Sequence, residues 1–259
     1  MKEFISQLPT PLEILMDPIS IVVYAIFGGL LLWETFFPAR QLPKIKFWKL
    51  RGIAFFMVYM LFTTYIPLVW DDFFASYQLL NFSTLSMPIQ VLLGVFLFEL
   101  VQYGWHISMH KSDFLFRVSH QIHHSAERLD VPSSFMFSLN DMIGLSLIGS
   151  VSFALIMGLA PQAITIVILV LTFMGIFQHA NINTPRWLGY IIQRPESHTV
   201  HHAKGIHAHN YTDLPIIDMM FGTFKNPKSY EHETGYYLGA SSRLWDMLRF
   251  KDVTSPKEK

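Results

Sequence analysis

Apolar positions in this chain fall into long continuous runs, residues 18–37, 52–70, 87–104, 141–158 and 161–178, without the every-second spacing of a half-buried strand or the one-sided spacing of a surface helix. A helix that is apolar on all sides belongs in a core or a membrane, and about 20 such residues cross the hydrocarbon of a bilayer. The first three runs are therefore predicted as membrane spans. The last two are joined by L-A-P-Q, which leaves room only for a tight hairpin, and each arm lies near the lower limit of spanning length. That pair is read as a membrane hairpin that either crosses fully or re-enters. Residues 183–259 hold no such run and are expected to form short helices, among them an amphipathic one around residues 242–250. The predicted fold is all-α, a polytopic membrane helical bundle of about three spans plus a membrane hairpin, with a cytoplasmic histidine-rich helical cap.

Charge orients this bundle. Between the first two runs Arg40, Lys44, Lys46, Lys49 and Arg51 occur without one acid, whereas residues 71–86 carry Asp71 and Asp72 and no Lys or Arg. Basic loops stay cytoplasmic, which puts the N-terminus outside and the ends of the first, third and fifth runs on the cytoplasmic face. Trp33 and Glu34, near the end of the first run, are placed at interface depth. The opening residues lack the charged segment, apolar run and small-residue cleavage site of a leader, and are read as retained.

Composition agrees with a membrane solvent: of 259 residues, 51% are hydrophobic and 23 are Phe, with a formal net charge of zero. A single integral-membrane domain over residues 1–259 is expected, in the inner membrane of a bacterial cell or the endoplasmic reticulum of a eukaryotic one. Nothing in the charge balance suggests a nucleic-acid partner. The absence of cysteine excludes disulfides, thiolate metal sites and cysteine nucleophiles, so any metal must be held by nitrogen and oxygen.

Histidine supplies the chemistry. Five of the twelve histidines fall between His106 and His124, as H-I-S-M-H followed after a gap by H-Q-I-H-H. The H-x-x-H-H spacing returns at His198, His201 and His202, with His179 between the two regions. Side chains three and four apart share one helical face, so each motif can aim several imidazoles at a common point. His106, His110, His120, His123, His124, His179, His198, His201 and His202 make nine candidate ligands, too many for one ion of four to six positions, and two metal ions are the natural reading. For any single histidine a hydrogen-bonded core role is the competing assignment; the repeated spacing is what favours ligation. His207 and His209 sit two apart and are left outside this set, and His232 is read as a bystander. Ligating imidazoles usually donate their second N–H to a neighbour. Glu99, seven residues before His106 and within a span, is one candidate partner, with helix packing as the alternative. Glu127, Asp130, Glu196, Asp213 and Asp218 are others, each equally readable as a solvated acid.

From about Glu99 to Phe224 the chain resembles the fatty acid hydroxylase and sterol desaturase superfamily of membrane di-iron oxygenases. The resemblance rests on the ordered set E-L-V-Q-Y-G-W-H-I-S-M-H, H-Q-I-H-H-S-A-E-R-L-D, Q-H-A-N-I, P-E-S-H-T-V-H-H and H-N-Y-T-D-L-P-I-I-D-M-M-F-G-T-F. It implies a membrane helical core with a histidine-rich cap, two iron ions held by the nine histidines, dioxygen as co-substrate and an external electron donor. It also implies that Asn210, Tyr211, Asp213, Phe221, Gly222 and Thr223 form a structural seal near the site without ligating. Departures occur at Ile107, Glu99, Ser138, Leu139, Asn183, Ile217 and Met220. They leave the metal site intact and the branch of substrate open.

The expected activity is hydroxylation, or desaturation, of a lipid C–H bond, with a fatty acyl, sterol or related lipid as substrate. No dinucleotide-binding glycine motif and no cysteine for an iron–sulfur cluster occur in the sequence, so electrons are expected from a separate reductase, ferredoxin or cytochrome. The alternative is a membrane metal- or haem-binding protein for electron transfer or transport, without oxygenase activity. A haem bundle would pair histidines within spans, and a transporter would thread polar residues through several of them, where only Glu99 and Gln102 approach that pattern.

Overall fold

A computed structural model of the protein describes residues 8–206 and 208–256, so the assignments for the extreme N-terminus and for His207 lie outside the described residues. Among the described residues the secondary structure is helical, apart from one antiparallel bridge between Ala203 and Thr234. The principal helices are α1 (Pro18–Phe36), α2 (Trp48–Tyr65), α3 (Met87–Lys111), α4 (Gln121–His124), α5 (Leu139–Ser150), α6 (Pro161–His179), α7 (Pro195–His201), α8 (Pro215–Phe221) and α9 (Leu244–Leu248). A π-helical stretch, Phe116–His120, leads into α4, and another, Val151–Met157, extends α5. With such extensions counted, five helices are long and apolar enough to cross a membrane: Pro18–Phe36, Trp48–Val69, Met87–Lys111, Leu139–Met157 and Pro161–His179.

Local chemistry sets the ends of these helices. Asp17 caps α1 by accepting from the Ile19 N–H at 2.8 Å, and Pro18 follows as the first helical residue, where its missing N–H costs nothing. Pro161, Pro195 and Pro215 open α6, α7 and α8 in the same way. The hairpin between α5 and α6 turns at Gly158, whose φ of +54° is left-handed, and a side chain there would run into Gln78.

The spans alternate in direction, and their ends are tied at both faces. At one face the C-terminal ends of α1, α3 and α6 meet the N-terminal ends of α2 and α5. There Glu34 Oε2 accepts from the Val131 and Asn181 N–H groups, each at 3.0 Å, and Trp48 Nε1 donates to Asp130 at 2.8 Å. At the other face the N–H groups of Leu79, Leu80 and Phe82 take up the carbonyls of Leu155, Ile156 and Met157, which end the π-helical turn. Between the faces, Phe27 stacks on Phe56 at 4.4 Å and Phe56 on Phe135 at 5.0 Å. Ile21, Val22, Leu32, Val58 and Leu92 point outward and exposed, as side chains facing lipid tails do.

Two expectations change, and a third gains detail. Glu34, at the end of the first span, is buried against protein, because two backbone N–H groups with no helical partner require an acceptor at that point. The second span begins at Trp48 instead of residue 52, since Lys49 and Arg51 start the helix and Arg51 reaches the Ser241 carbonyl at 2.9 Å. The amphipathic segment near the C-terminus shrinks to Leu244–Leu248, with a 3-10 turn at Ala240–Ser242 before it.

Glu34→Ala removes one acceptor and strands two buried N–H groups, a cost of about 2–5 kcal/mol. Thermal unfolding of the detergent-solubilised protein is expected to show a clearly lowered midpoint, with Glu34→Gln in between. An unchanged midpoint in the alanine variant would contradict the role given to this carboxylate.

Candidate metal centre

The third span does not stop short of the histidines. α3 runs unbroken for 25 residues, so His106 and His110 stand one turn apart on the same rod that crosses the membrane. His179 is the last residue of α6, and His198 and His201 lie on α7, which ends at its cap residue His202. His120 ends the π-helical stretch, and His123 and His124 follow in α4.

These nine side chains form two groups, each with candidate ligand atoms within 4.8 Å of one another. One comprises His106, His110, His120, His124 and His201; the other His123, His179, His198 and His202. The two H-x-x-H-H motifs are therefore split, against the expectation that each aims at one point. In the first, residues i and i+4 (His120, His124) serve one group while i+3 (His123) turns to the other. In the second the arrangement is reversed, His198 and His202 serving the second group and His201 crossing to the first. The reason is angular: i and i+3 on a helix differ by about 60° from full register in one sense and i and i+4 by about 40° in the other, so neighbouring rings diverge to opposite sides of the stripe. The groups adjoin, with His124 stacked on His202 at 4.3 Å between ring centroids.

Fixed acceptors orient several rings. His106 Nδ1 meets the Tyr211 carbonyl at 2.6 Å, His179 Nδ1 the Gly175 carbonyl at 2.6 Å, His201 Nδ1 the His209 carbonyl at 2.8 Å, and His120 Nδ1 the Asp141 carboxylate at 2.7 Å. An acceptor at Nδ1 places the proton there and leaves Nε2 as a lone pair. The Nε2 atoms of His106 and His120 then face each other at 2.9 Å. In the second group the Nε2 contacts are 3.1 Å for His179 with His123, 3.2 Å for His198 with His179 and 3.0 Å for His202 with His198. His201 Nε2 is buried without a hydrogen-bond partner. Converging lone pairs repel unless a cation lies among them, and two nitrogens bound to one ion at about 2.1 Å stand about 3.0–3.4 Å apart. Each group could hold one metal ion.

Burial holds His123, His124, His198, His201 and His202 well below the ordinary imidazole value of 6.5, and neighbouring imidazoles add to this. Neutral rings are what a metal requires.

Of the candidate partners, Glu196 accepts from Thr184 and Arg194, and Asn210 clasps the Ser197 and Lys225 carbonyls and the Lys225 N–H. Asp218 accepts from the N–H groups of Tyr211 and Thr212 and from the Thr223 hydroxyl, so it fixes the segment whose carbonyl holds His106. Glu127 accepts from the Gly239 and Ser241 N–H groups, and Asp130 from Trp48 and Arg128. Glu99 accepts from the Asp213 N–H at 2.8 Å, and Asp213 from Gln178 at 2.6 Å, while burial pushes the Asp213 carboxyl up to about 7. These residues brace backbone around the site. Thr223 donates its N–H to the Asp218 carbonyl, Phe221 stacks on Tyr103 at 4.5 Å, and Gly222 ends α8 at a φ of +73°.

Asp141 was not among the candidates, although it holds His120. It opens an apolar run, and nothing in the linear spacing pairs it with a histidine 21 residues earlier. The backbone acceptors were equally silent. His209 and Asn210 both adopt left-handed φ, +66° and +50°, which turns the His209 carbonyl toward His201. His209 and His232 belong to neither group.

Helices long and apolar enough to cross a membrane, with two histidine groups at one end that could each hold a metal ion, define the class of this protein. Residues 91–223 match the model of the family described as Fatty acid hydroxylase, and the chain belongs to that family of oxidoreductases. Neither curated proteins nor solved structures gave a match.

Asp141→Asn keeps the size but weakens the acceptor for His120, and a loss of about 10–100-fold in metal affinity is expected at the five-histidine group, with the four-histidine group retaining its ion. Metal analysis after graded chelation reads both. Because burial holds His123, His124, His198, His201 and His202 below the ordinary imidazole value, protons compete with the metal there only at lower pH than at an exposed site. Metal content should hold from about pH 8 to about pH 6 and fall below that; release at or above the ordinary imidazole value would count against the burial argument.

Proposed function

We propose that this protein is a membrane-bound di-iron oxygenase that uses dioxygen and electrons from a separate donor to hydroxylate, or desaturate, a lipid C–H bond. One observation carries this reading: a cavity of about 480 Å³ reaches histidines of both groups, His106 and His120 from one and His123, His179 and His198 from the other, and continues between the spans. Val23, Phe98, Phe135, Phe153, Ile168 and Leu171 line it, an apolar wall suited to a hydrocarbon chain or ring system.

Nine imidazole nitrogen donors and no thiolate suit iron. Two bound iron ions would supply the redox chemistry with dioxygen that removes hydrogen from an unactivated C–H bond. The chain's own part is positional. Its aromatic and aliphatic wall binds the lipid, excludes water, and brings one carbon beside the imidazoles. Asp141 and the carbonyls of Tyr211, Gly175 and His209 keep the rings aimed. The basic segment at Arg40, Lys44, Lys46, Lys49 and Arg51 lies at the histidine face, which by the positive-inside rule is cytoplasmic. A cytoplasmic or membrane-associated reductase, ferredoxin or cytochrome could reach it there, in a bacterial inner membrane or the endoplasmic reticulum.

The test compares lipids of cells making the intact protein or His201→Ala, by untargeted mass spectrometry, together with the iron content of each purified protein. Products that gain one oxygen or lose two hydrogens are expected only with the intact protein, and a lowered iron content with the variant. Full iron loading of the intact protein, with reductant and dioxygen supplied and no lipid product from a total lipid extract, would sink the oxygenase reading.

A further inference from the structure

The two ends of the cavity differ in what closes them. At the histidine end Met109, His120, Ser134, His179, His198 and Thr212 line it, and every one of these is buried. At the other end the lining includes exposed residues: Ile19 at 42%, Ile168 at 45%, and Thr64. The cavity is thus a tunnel, blind toward the histidine cap and open toward the opposite side of the membrane.

Packing explains where it opens. α1 and α6 run in the same direction, since Glu34 near the end of α1 accepts from the Asn181 N–H just past the end of α6. In the half nearer the histidines they pack through Phe27, Leu30, Ile176 and Phe177, which share one core cluster. In the other half Ile19 and Ser20 of α1 and Ile164 and Ile168 of α6 line the cavity. Neighbouring seams are shut there. Trp70 Nε1 donates to Ser150 Oγ at 2.9 Å, which joins the end of the second span to α5; Val95 and Val167 join α3 to α6 in a second core cluster; and Tyr65 Oη donates to the Pro9 carbonyl at 2.6 Å, which ties α2 to the segment before α1. Ile168 stands about 10 Å along α6 from its start, so the gap between α1 and α6 lies at hydrocarbon depth on the side of the bundle.

Length and polarity then fix how a lipid can use the tunnel. From Ile19 to Glu34 on α1, and from Ile164 to His179 on α6, the helices rise about 22 Å. One leaflet contributes about 15 Å of hydrocarbon, so a molecule that reaches the imidazoles from this opening extends past the bilayer midplane. A charged headgroup drawn into the tunnel would lose its hydration at a large cost, whereas a hydrocarbon tail exchanges one apolar surrounding for another. We propose that lipid enters tail-first from the leaflet opposite the histidines, through the gap between α1 and α6, and keeps its polar head at that far interface. The carbons beside the imidazoles are then those farthest from the head. The substrate class is an elongated lipid with its polar group at one end, attacked near the other. As a substrate path this rests on the oxygenase reading; as a binding path it stands on the shape of the bundle.

The test uses stearoyl-lysophosphatidylcholine with a nitroxide placed either near the headgroup or near the methyl end of its chain, bound to the intact protein in detergent with and without iron in the histidine groups. Bound iron speeds the relaxation of a nearby nitroxide in electron paramagnetic resonance, and the larger effect is expected for the methyl-end label. Ile168→Trp and Ile19→Trp, which narrow the opening from either side, should each weaken binding about ten-fold or more, and Ile166→Trp, exposed on α6 outside the cavity, should change it by less than about three-fold. A headgroup-end label relaxed as strongly as the methyl-end label, or more strongly, overturns the proposal, as does the absence of saturable binding. So does an unchanged affinity in an Ile168→Trp variant that keeps its size-exclusion profile. Should it lose that profile, Ile19→Trp decides in the same way, and the two variants decide alone if the protein takes up no iron. Tail-first binding without lipid oxidation would remove the oxygenase reading and leave the path, whereas oxidation next to the headgroup would do the reverse.

Discussion

Imidazole nitrogens face one another at 2.9–3.2 Å; for His106 and His120, whose Nδ1 atoms each meet an acceptor, the facing lone pairs repel, and the rest of this structure is arranged to hold the rings there. A cation among the rings would relieve that repulsion, so the contacts that fix the tautomers matter as much as the histidines. Carbonyls of Tyr211, Gly175 and His209 and the carboxylate of Asp141 each accept a hydrogen bond from an Nδ1–H and turn the opposite nitrogen inward. Most of these acceptors are backbone atoms, so their positions depend on loop conformation. Asn210 and Asp218 act at that level: they clamp the segment around Tyr211 without touching an imidazole in any contact described above.

The ligand set also ties the membrane bundle together. Side chains from α3, α4, α6 and α7 converge, with His120 at the end of the π-helical stretch before α4. Between helices in a bilayer there is little hydrophobic drive, and association relies on packing and polar contacts. Here the polar contacts sit at the two ends of the spans, and the aromatic stack of Phe27, Phe56 and Phe135 fills the middle near the cavity. The split of each H-x-x-H-H motif between groups crosslinks α4 and α7 through both sites at once, so displacement of either short helix disturbs both groups.

The same burial that keeps the imidazoles neutral shapes the cavity below them. Its wall is apolar along the spans and acceptor-rich near the histidines, and both features have one origin: polar residues placed on α3 and α6 at helical spacing from His106 and His179. Gln102 is one turn from His106, Gln178 is next to His179, and Glu99 is two turns from His106. A helix that brings a histidine to the end of the membrane necessarily brings these residues to the cavity wall beside it.

The sequence by itself determined the number of long apolar helices, their alternation, the face that carries the basic segment, and which nine histidines come together, because hydrophobic run length and i, i+4 spacing are local properties of the chain. It did not determine how the histidines divide, since the choice between two neighbouring points depends on how α4 and α7 are rotated against each other. Nor did it reveal Asp141 as the partner of His120, or Glu34 as an interior acceptor for Val131 and Asn181, residues 97 and 147 positions away. Hydrogen bonds to a backbone N–H or carbonyl leave no residue-type signature. Only the folded chain decides them, because only there do groups distant in sequence meet at a fixed distance and angle.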